Sequence, residues 1–448
     1  MNAAKDLING NETKAMINFA IPMIAGNLFQ QLYNVADTVI VGKFIGSHAL
    51  AAVGSSFSVM VLLTSIIIGF CMGSSVVFSM YFGSGEIDEL KNCFFTAFVF
   101  IGIITVVINV CSIFFIDKIL TFINIPQEVF ADARTYLKII FYGLGLSYIY
   151  NYFSAAMRSM GNSVVPLAFL ILSAVINIGL DILFVVPLQM GIAGAAYATI
   201  IAQGFSAAGI ALYAIVRVPP FRLKREHFYL NKSTGKKIAN FSILSSIQYS
   251  VMNFGILMIQ SLVNSFGVSA MAAFAAVVKI ESFAYMPVQD FGNAFSTFIA
   301  QNTGAGKKSR IYTGIRSAVK IITVYCALIS IFIFMTAKPL MVIFISHNET
   351  EILGIGVQYL SIVAGFYCLI GYLFMFYGLF RGIGKPGISI ILTVVSLGVR
   401  VLLAYTLSSV NRIGIVGIWW AIPIGWALAD VIGVIVIRHY YVNDVLSR

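Results

Sequence analysis

The chain has 448 residues, 60% of them hydrophobic and 10% charged, with a mean hydropathy of +0.95; this composition describes a polytopic membrane protein. It excludes a soluble domain of useful size, because the longest polar stretch, residues 217–237, is too short to bury a core. The net charge of +11 is read by location, since Lys and Arg orient a membrane chain and here have no motif or aromatic context for nucleic acid.

Twelve apolar runs are long enough to cross a bilayer, each needing roughly twenty residues at helical rise. In chain order they lie near 15–42, 54–81, 92–116, 137–158, 163–186, 192–216, 238–265, 270–300, 314–337, 354–380, 386–409 and 414–437. The first contains Pro22 and is long, so it reads as a true span rather than a cleaved leader. With both termini cytoplasmic, basic residues concentrate on the inner segments, above all Arg217, Arg222, Lys224, Arg225, Lys232, Lys236 and Lys237 in the central loop. There they set topology and meet lipid headgroups. The five cysteines, Cys71, Cys93, Cys111, Cys326 and Cys368, fall in apolar runs without paired or metal-type spacing and read as small core residues.

The chain repeats itself at an offset of about 222 residues. Asn18-Phe19 returns as Asn240-Phe241, Ala49-Leu50-Ala51-Ala52 as Ala270-Met271-Ala272-Ala273, and Gly83-Ser84-Gly85 as Gly304-Ala305-Gly306. Arg158-Ser159-Met160-Gly161 matches Arg381-Gly382-Ile383-Gly384, and Gly191-Ile192-Ala193-Gly194 matches Gly414-Ile415-Val416-Gly417. Six spans per half is an even number, so both halves enter from the same side and are related by an axis along the membrane normal. The expected architecture is an all-α membrane protein of twelve transmembrane helices in two pseudo-symmetric six-helix bundles. Residues 1–216 form the first bundle, 217–237 a basic cytoplasmic linker and 238–448 the second.

Two carboxylates stand inside apolar runs of the first half, Asp37 and Asp181, and an intramembrane acid marks a functional site by default. Asn34-Val35-Ala36-Asp37-Thr38, Arg158-Ser159-Met160-Gly161-Asn162, Asn177-Ile178-Gly179-Leu180-Asp181 and the Gln301-Asn302-x-Gly304-x-Gly306 turn follow one another across the two repeats. In these motifs the chain, from about residue 14 to 437, resembles the multidrug and toxic compound extrusion (MATE) family of secondary transporters.

Helical rise places Asp37, Asp181 and Thr199 roughly 9 to 11 Å below the outer boundary, and Asn177 lies one turn from Asp181 on the same face. Such an oxygen cluster can hold a sodium ion, or one proton shared between two carboxylates. The resemblance implies that Asp37, Asn177, Asp181 and Thr199 form the cation-coupling site, with Tyr33 and Asn151 as neighbours. It also implies that Asp37 and Asp181 ligate Na+ if sodium is the coupling ion. Individually, Asn177, Thr199 and Asn151 also suit plain helix packing. Glu281 lies near the midplane of the eighth span, where it can meet a cationic substrate or pair with Arg400 of the eleventh; Lys279, two residues away, is on another helix face. Asp290, Asp430 and Lys320 lie toward the inner ends of their spans and read as lining the cytoplasmic opening or snorkelling. Members of the family with acids in the seventh and tenth spans are not matched, since the seventh offers only Gln248, Asn253 and Gln260.

The remaining chemistry is mostly negative. No phosphate loop occurs, and Gly382-x-Gly384-x-x-Gly387 joins two membrane helices rather than a strand and a helix. His48, His227, His347 and His439 have no metal spacing. Tyr142, Tyr148, Tyr150, Tyr152 and Phe153 read mainly as lipid-facing, with some able to stack on a flat organic cation. The expectation is a non-enzymatic antiporter without cofactors. It exports amphipathic, often cationic organic compounds in exchange for H+ or Na+, as a monomer in a bacterial plasma membrane. The alternative is a flippase for a lipid-linked saccharide, which predicts a basic cavity for which only Lys279 and Arg400 are available.

Overall fold

A computed structural model describes residues 7–123 and 125–446, and among these no strand occurs. Fifteen helices follow in order: α1 (Glu12–Ile40), α2 (Ser47–Ser84), α3 (Ile87–Phe114), α4 (Ile116–Phe122), α5 (Gln127–Tyr142), α6 (Leu144–Ser159), α7 (Val164–Val185), α8 (Gly191–Arg217), α9 (Lys232–Asn264), α10 (Val268–Gly304), α11 (Lys308–Val342), α12 (Thr350–Ala364), α13 (Tyr367–Gly382), α14 (Pro386–Ser408) and α15 (Val416–Leu446). An all-helical answer is what a bilayer demands, because each helix satisfies its own backbone polar groups. Among the described residues nine helices are long and apolar enough to cross it, or ten when α12 and α13, bent by 55°, count as one broken span. The other two of the twelve spans are α1, which carries Asn, Gln and Asp side chains in its second half, and the pair α5–α6.

The fourth and tenth spans depart from the sequence reading in the same way. Each was expected as one run, and each is two helices, parted at Gly143 in the first half and at Gly365-Phe366 in the second. The fourth also begins ten residues earlier than expected, at Gln127 rather than 137. Hydropathy reports burial in lipid and is blind to a break within a continuous apolar stretch.

The repeat has a conformational basis. Gly46 and Gly267, Gly85 and Gly306, Gly161 and Gly384, and Gly191 and Gly414 all have φ between 52° and 117°. A left-handed residue reverses the chain at a helix end, and only glycine does so without strain from its Cβ. The repeated glycines therefore fix the loops, and the loops fix six spans in each half.

By their contacts the described residues fall into two compact units, one built chiefly of Asn18–Ser246 and the other chiefly of Ile247–Thr303 with Lys307–Arg448. Within the first, α2 presses Gly69 and Gly73 against the start of α9. A Cβ on Gly73 would lie 2.4 Å from Phe241 O and 2.5 Å from Ser242 Cα, and one on Gly69 would lie 2.4 Å from Ser246 Cα. Small residues four apart on both helices let the backbones approach, and Ser74 and Ser242 then share a hydroxyl hydrogen bond of 2.8 Å.

Several side chains lie elsewhere than expected. Tyr148, Tyr152 and Phe153 are buried rather than lipid-facing, because the Tyr148 and Tyr152 hydroxyls donate to Phe98 O (2.6 Å) and Phe94 O (2.7 Å) of α3. Tyr142 does face outward. Cys111 is exposed and Cys368 half-buried, so these two are not core residues. Asp290 and Asp430 are buried rather than lining an opening, whereas Lys320 is exposed. The basic loop is held against the first unit: Phe221 stacks on Phe94 with centroids 4.5 Å apart, and the Asn92 amide donates to Tyr229 O (2.8 Å) and His227 O (3.3 Å).

Candidate cation site

Tyr33 and Asp37 are four residues apart on α1, and so share a face. Just beyond them the helix widens into a π-helical turn, Val41–Ile45, which rests on α7 and α8. Turns of this kind are frequent at functional sites because the extra residue re-aims the side chains before it. On α7, Asn177 and Asp181 are likewise one turn apart, and α8 supplies Thr199. All three are buried, Asp181 completely.

The hydrogen-bond accounting is one-sided. Asn177 Nδ2 donates to Thr199 Oγ1 at 3.4 Å, and Thr199 donates to Ala195 O at 3.0 Å. The Asp37 and Asp181 carboxylates adjoin, and Tyr33 comes within hydrogen-bonding reach of Thr199. Two ionised carboxylates are both acceptors. Asp37 Oδ1, both Asp181 oxygens and Asn177 Oδ1 are buried and receive no donor from the protein. Buried acceptors without a donor are costly, and adjoining negative charges more so. A positive charge among them removes both penalties. The donors are all oxygens, with only two acids, which suits a proton or a hard monovalent cation.

The sequence-derived residues divide clearly. Asp37, Asn177, Asp181, Thr199 and Tyr33 come together. Asn151 does not join them through its amide, which donates to Ser147 O of its own helix at 2.8 Å. Glu281 and Arg400 belong to the second unit, where Tyr359 donates to Glu281 Oε2 at 2.8 Å and Arg400 lies within electrostatic reach of the acid. Lys279 is exposed. Tyr136 of α5 was missed. It is 4% exposed and within electrostatic reach of Asp37, Asp181 and Tyr33. Its signal was weak, since a tyrosine in a membrane helix is unremarkable and the fourth span was drawn from 137.

Comparison with known proteins agrees in order and extent. The MatE family model matches residues 22–183 and 242–406, one stretch in each repeat. The "Probable multidrug resistance protein YpnP" of Bacillus subtilis (strain 168) is 29% identical over 88% of this chain and 87% of its own length. The "Probable multidrug resistance protein NorM" of Thermotoga maritima is 28% identical over 91% and 88%. Among solved structures, a MOP superfamily transporter from Pyrococcus furiosus Vc1 superposes with a TM-score of 0.91 at 25% identity, covering 97% of each chain. With matches in both repeats and across nearly the whole length, the chain belongs to the MatE family of membrane transporters.

Proposed function

We propose that the protein is a secondary antiporter that exports small amphipathic, often cationic organic compounds in exchange for H+ or Na+. It works in the plasma membrane with both termini cytoplasmic. Asp37 and Asp181 are the coupling acids, with Asn177 Oδ1 and Thr199 Oγ1 as neutral ligands and Tyr33 and Tyr136 as the aromatic surround. The observation that carries this reading is the set of four buried acceptor atoms that no protein donor reaches. Its likeness to probable multidrug resistance proteins supports small organic compounds as the cargo.

The exchange logic follows from that set. Empty, the acid pair is a buried negative charge that attracts a cationic compound. Occupied by a proton or sodium ion, it is partly neutralised and releases that compound. An ion drives a conformational change only as far as its affinity differs between the two states, so the hydration or spacing of the acids must change between them.

The test is efflux of a fluorescent organic cation from proteoliposomes under separately imposed proton and sodium gradients. Export driven by one gradient and lost in Asp37→Asn and Asp181→Asn is expected. Undiminished gradient-driven export by the double variant would overturn the assignment of the site.

A further inference from the structure

The repeat maps the cation site onto the second bundle, and what stands there is different. From Arg158/Arg381 to Gly191/Gly414 the two halves run at a constant offset of 223 residues, which pairs Asn177 with Arg400 and Asp181 with Ala404. The broken fourth and tenth spans keep the same offset, with α5 and α12 starting at Gln127 and Thr350, and α6 and α13 at Leu144 and Tyr367. Tyr136 therefore pairs with Tyr359. On the first span of each half, matched through Asn18 and Asn240, Asp37 pairs with Ile259. Both acids are thus replaced by apolar residues, and Ile259 and Ala404 are fully buried.

A carboxylate is nonetheless present, arriving from a different helix. Glu281 of α10 accepts the Tyr359 hydroxyl at 2.8 Å, so the tyrosine equivalent to Tyr136, which lies within electrostatic reach of Asp37 and Asp181, here donates to an acid. Glu281 is faced by Tyr285 on its own helix, Tyr359 on α12, Tyr367 on α13 and Arg400 on α14. From α15, Trp419 stacks on Phe274 at 5.9 Å and sets its edge to Tyr359 at 4.7 Å. Arg400 Nε is buried without an acceptor. The first-bundle site has two acids and no base, and its second-bundle counterpart has one acid and one base.

We propose that the Glu281–Tyr359–Arg400 cluster is the counterpart of the cation site with its cation built in. Arg400, at the position of Asn177, supplies covalently the positive charge that the first-bundle site must take from solution, and so closes this cluster to exchangeable cations. A guanidinium suits this role, since it stays charged throughout the physiological range and cannot leave. Its consequence, that this cluster takes no part in coupling while Asp37 and Asp181 do, rests on the reading of those two acids above. The fixed cation itself does not, and the experiment below reads the second bundle alone.

All three tryptophans, Trp419, Trp420 and Trp426, lie on α15, so Trp420→Phe with Trp426→Phe leaves Trp419 as a single reporter against Tyr359, one ring away from Glu281. In that background, with Arg400 intact, Trp419 emission should be unchanged by sodium and by pH between about 5 and 9, where tyrosine and arginine do not titrate. Arg400→Gln should make the emission respond to protons, to sodium or to both, and Glu281→Gln added to it should abolish the response. Arg400→Lys should remain silent. An Arg400→Gln chain that stays silent, or a response with Arg400 intact that Glu281→Gln removes, overturns the proposal. Should Arg400→Gln fail to fold, the paired substitutions decide: Glu281→Gln alone should lower the melting temperature, and Glu281→Gln with Arg400→Gln should recover it. Purely additive losses would overturn the built-in pair.

Discussion

Asn177 reaches across from α7 to α8 and donates its amide hydrogen to Thr199, whose own hydrogen is directed away to Ala195 O. The bond leaves Asn177 Oδ1 facing the acids without a protein donor, and keeps the Thr199 oxygen beside it with a lone pair to spare. Thr199→Val keeps the shape and removes one oxygen. The expected outcome is a roughly tenfold weaker ion dependence of efflux, about 1.4 kcal/mol, with the rate at saturating ion largely retained. A fall in the saturating rate with unchanged ion dependence would show that Thr199 packs α7 on α8 and does not ligate.

Gly73 is the tightest test of the α2–α9 packing. A methyl group there would enter the backbone of Phe241 and Ser242 at 2.4 to 2.5 Å, atoms that cannot rotate aside. Overpacking of this kind costs about 1–3 kcal/mol, so Gly73→Ala should lower the melting temperature in detergent by several degrees. Gly54→Ala, where a Cβ meets nothing within 4 Å, should leave it unchanged.

How much of this was legible in the sequence depended on how rare the signal was. Asp37 and Asp181 stood out because a carboxylate in an apolar run has few alternative explanations, and Asn177 followed from being one helical turn away. The repeated glycines were visible as a pattern, and their positive φ explains it. Tyr136 was not legible, because aromatic residues abound in membrane helices and it lies one residue before the expected start of its span at 137. The break at Gly143 was hidden by continuous hydropathy, and so was the counterpart at Phe366. The burial of Asp430 was missed because depth along a helix says nothing about which way the side chain faces; neither of its carboxylate oxygens has a protein donor.

The central loop is basic, and it is also fastened. Asn92 makes two hydrogen bonds to loop carbonyls, and His227 Nε2 lies 3.3 Å from Asp88 Oδ1. Removing a buried donor leaves both carbonyls unpaired, at about 1–3 kcal/mol. Asn92→Ala should therefore release the segment and speed tryptic cleavage at the exposed Lys224 and Arg225, roughly tenfold for about 1.4 kcal/mol. Unaltered cleavage would mean that the Phe221–Phe94 stack and the His227–Asp88 contact hold the loop without Asn92.

Arg134 makes two hydrogen bonds to Asp117, at 2.5 and 3.2 Å, and holds the Asp117 carboxyl below its ordinary range. A lowered carboxyl pKa gives stability that is present above the unfolded value and lost as pH falls through the folded one. Both groups are exposed, however, and exposed pairs are screened. Asp117→Asn should leave the melting temperature at neutral pH and physiological salt within scatter. Any difference from wild type should be seen in low salt above about pH 4, and should vanish as the wild-type carboxyl protonates below that.

A cation at the acid pair should also be visible without any transported compound. Anything that binds the folded chain and not the unfolded one stabilises it by mass action, by about 2.7 kcal/mol at a hundredfold excess over its dissociation constant. The coupling ion should therefore raise the melting temperature of the wild type, in a sodium titration at fixed pH if it is sodium. If it is a proton, the rise should appear in a sodium-free series toward lower pH. Asp37→Asn with Asp181→Asn should be more stable than the ion-free wild type, because it removes two adjoining buried charges, and should no longer respond to either series. A double variant that still gains stability with the ion would place the binding elsewhere, and Asp430, buried without a protein donor, would be the next acid to substitute.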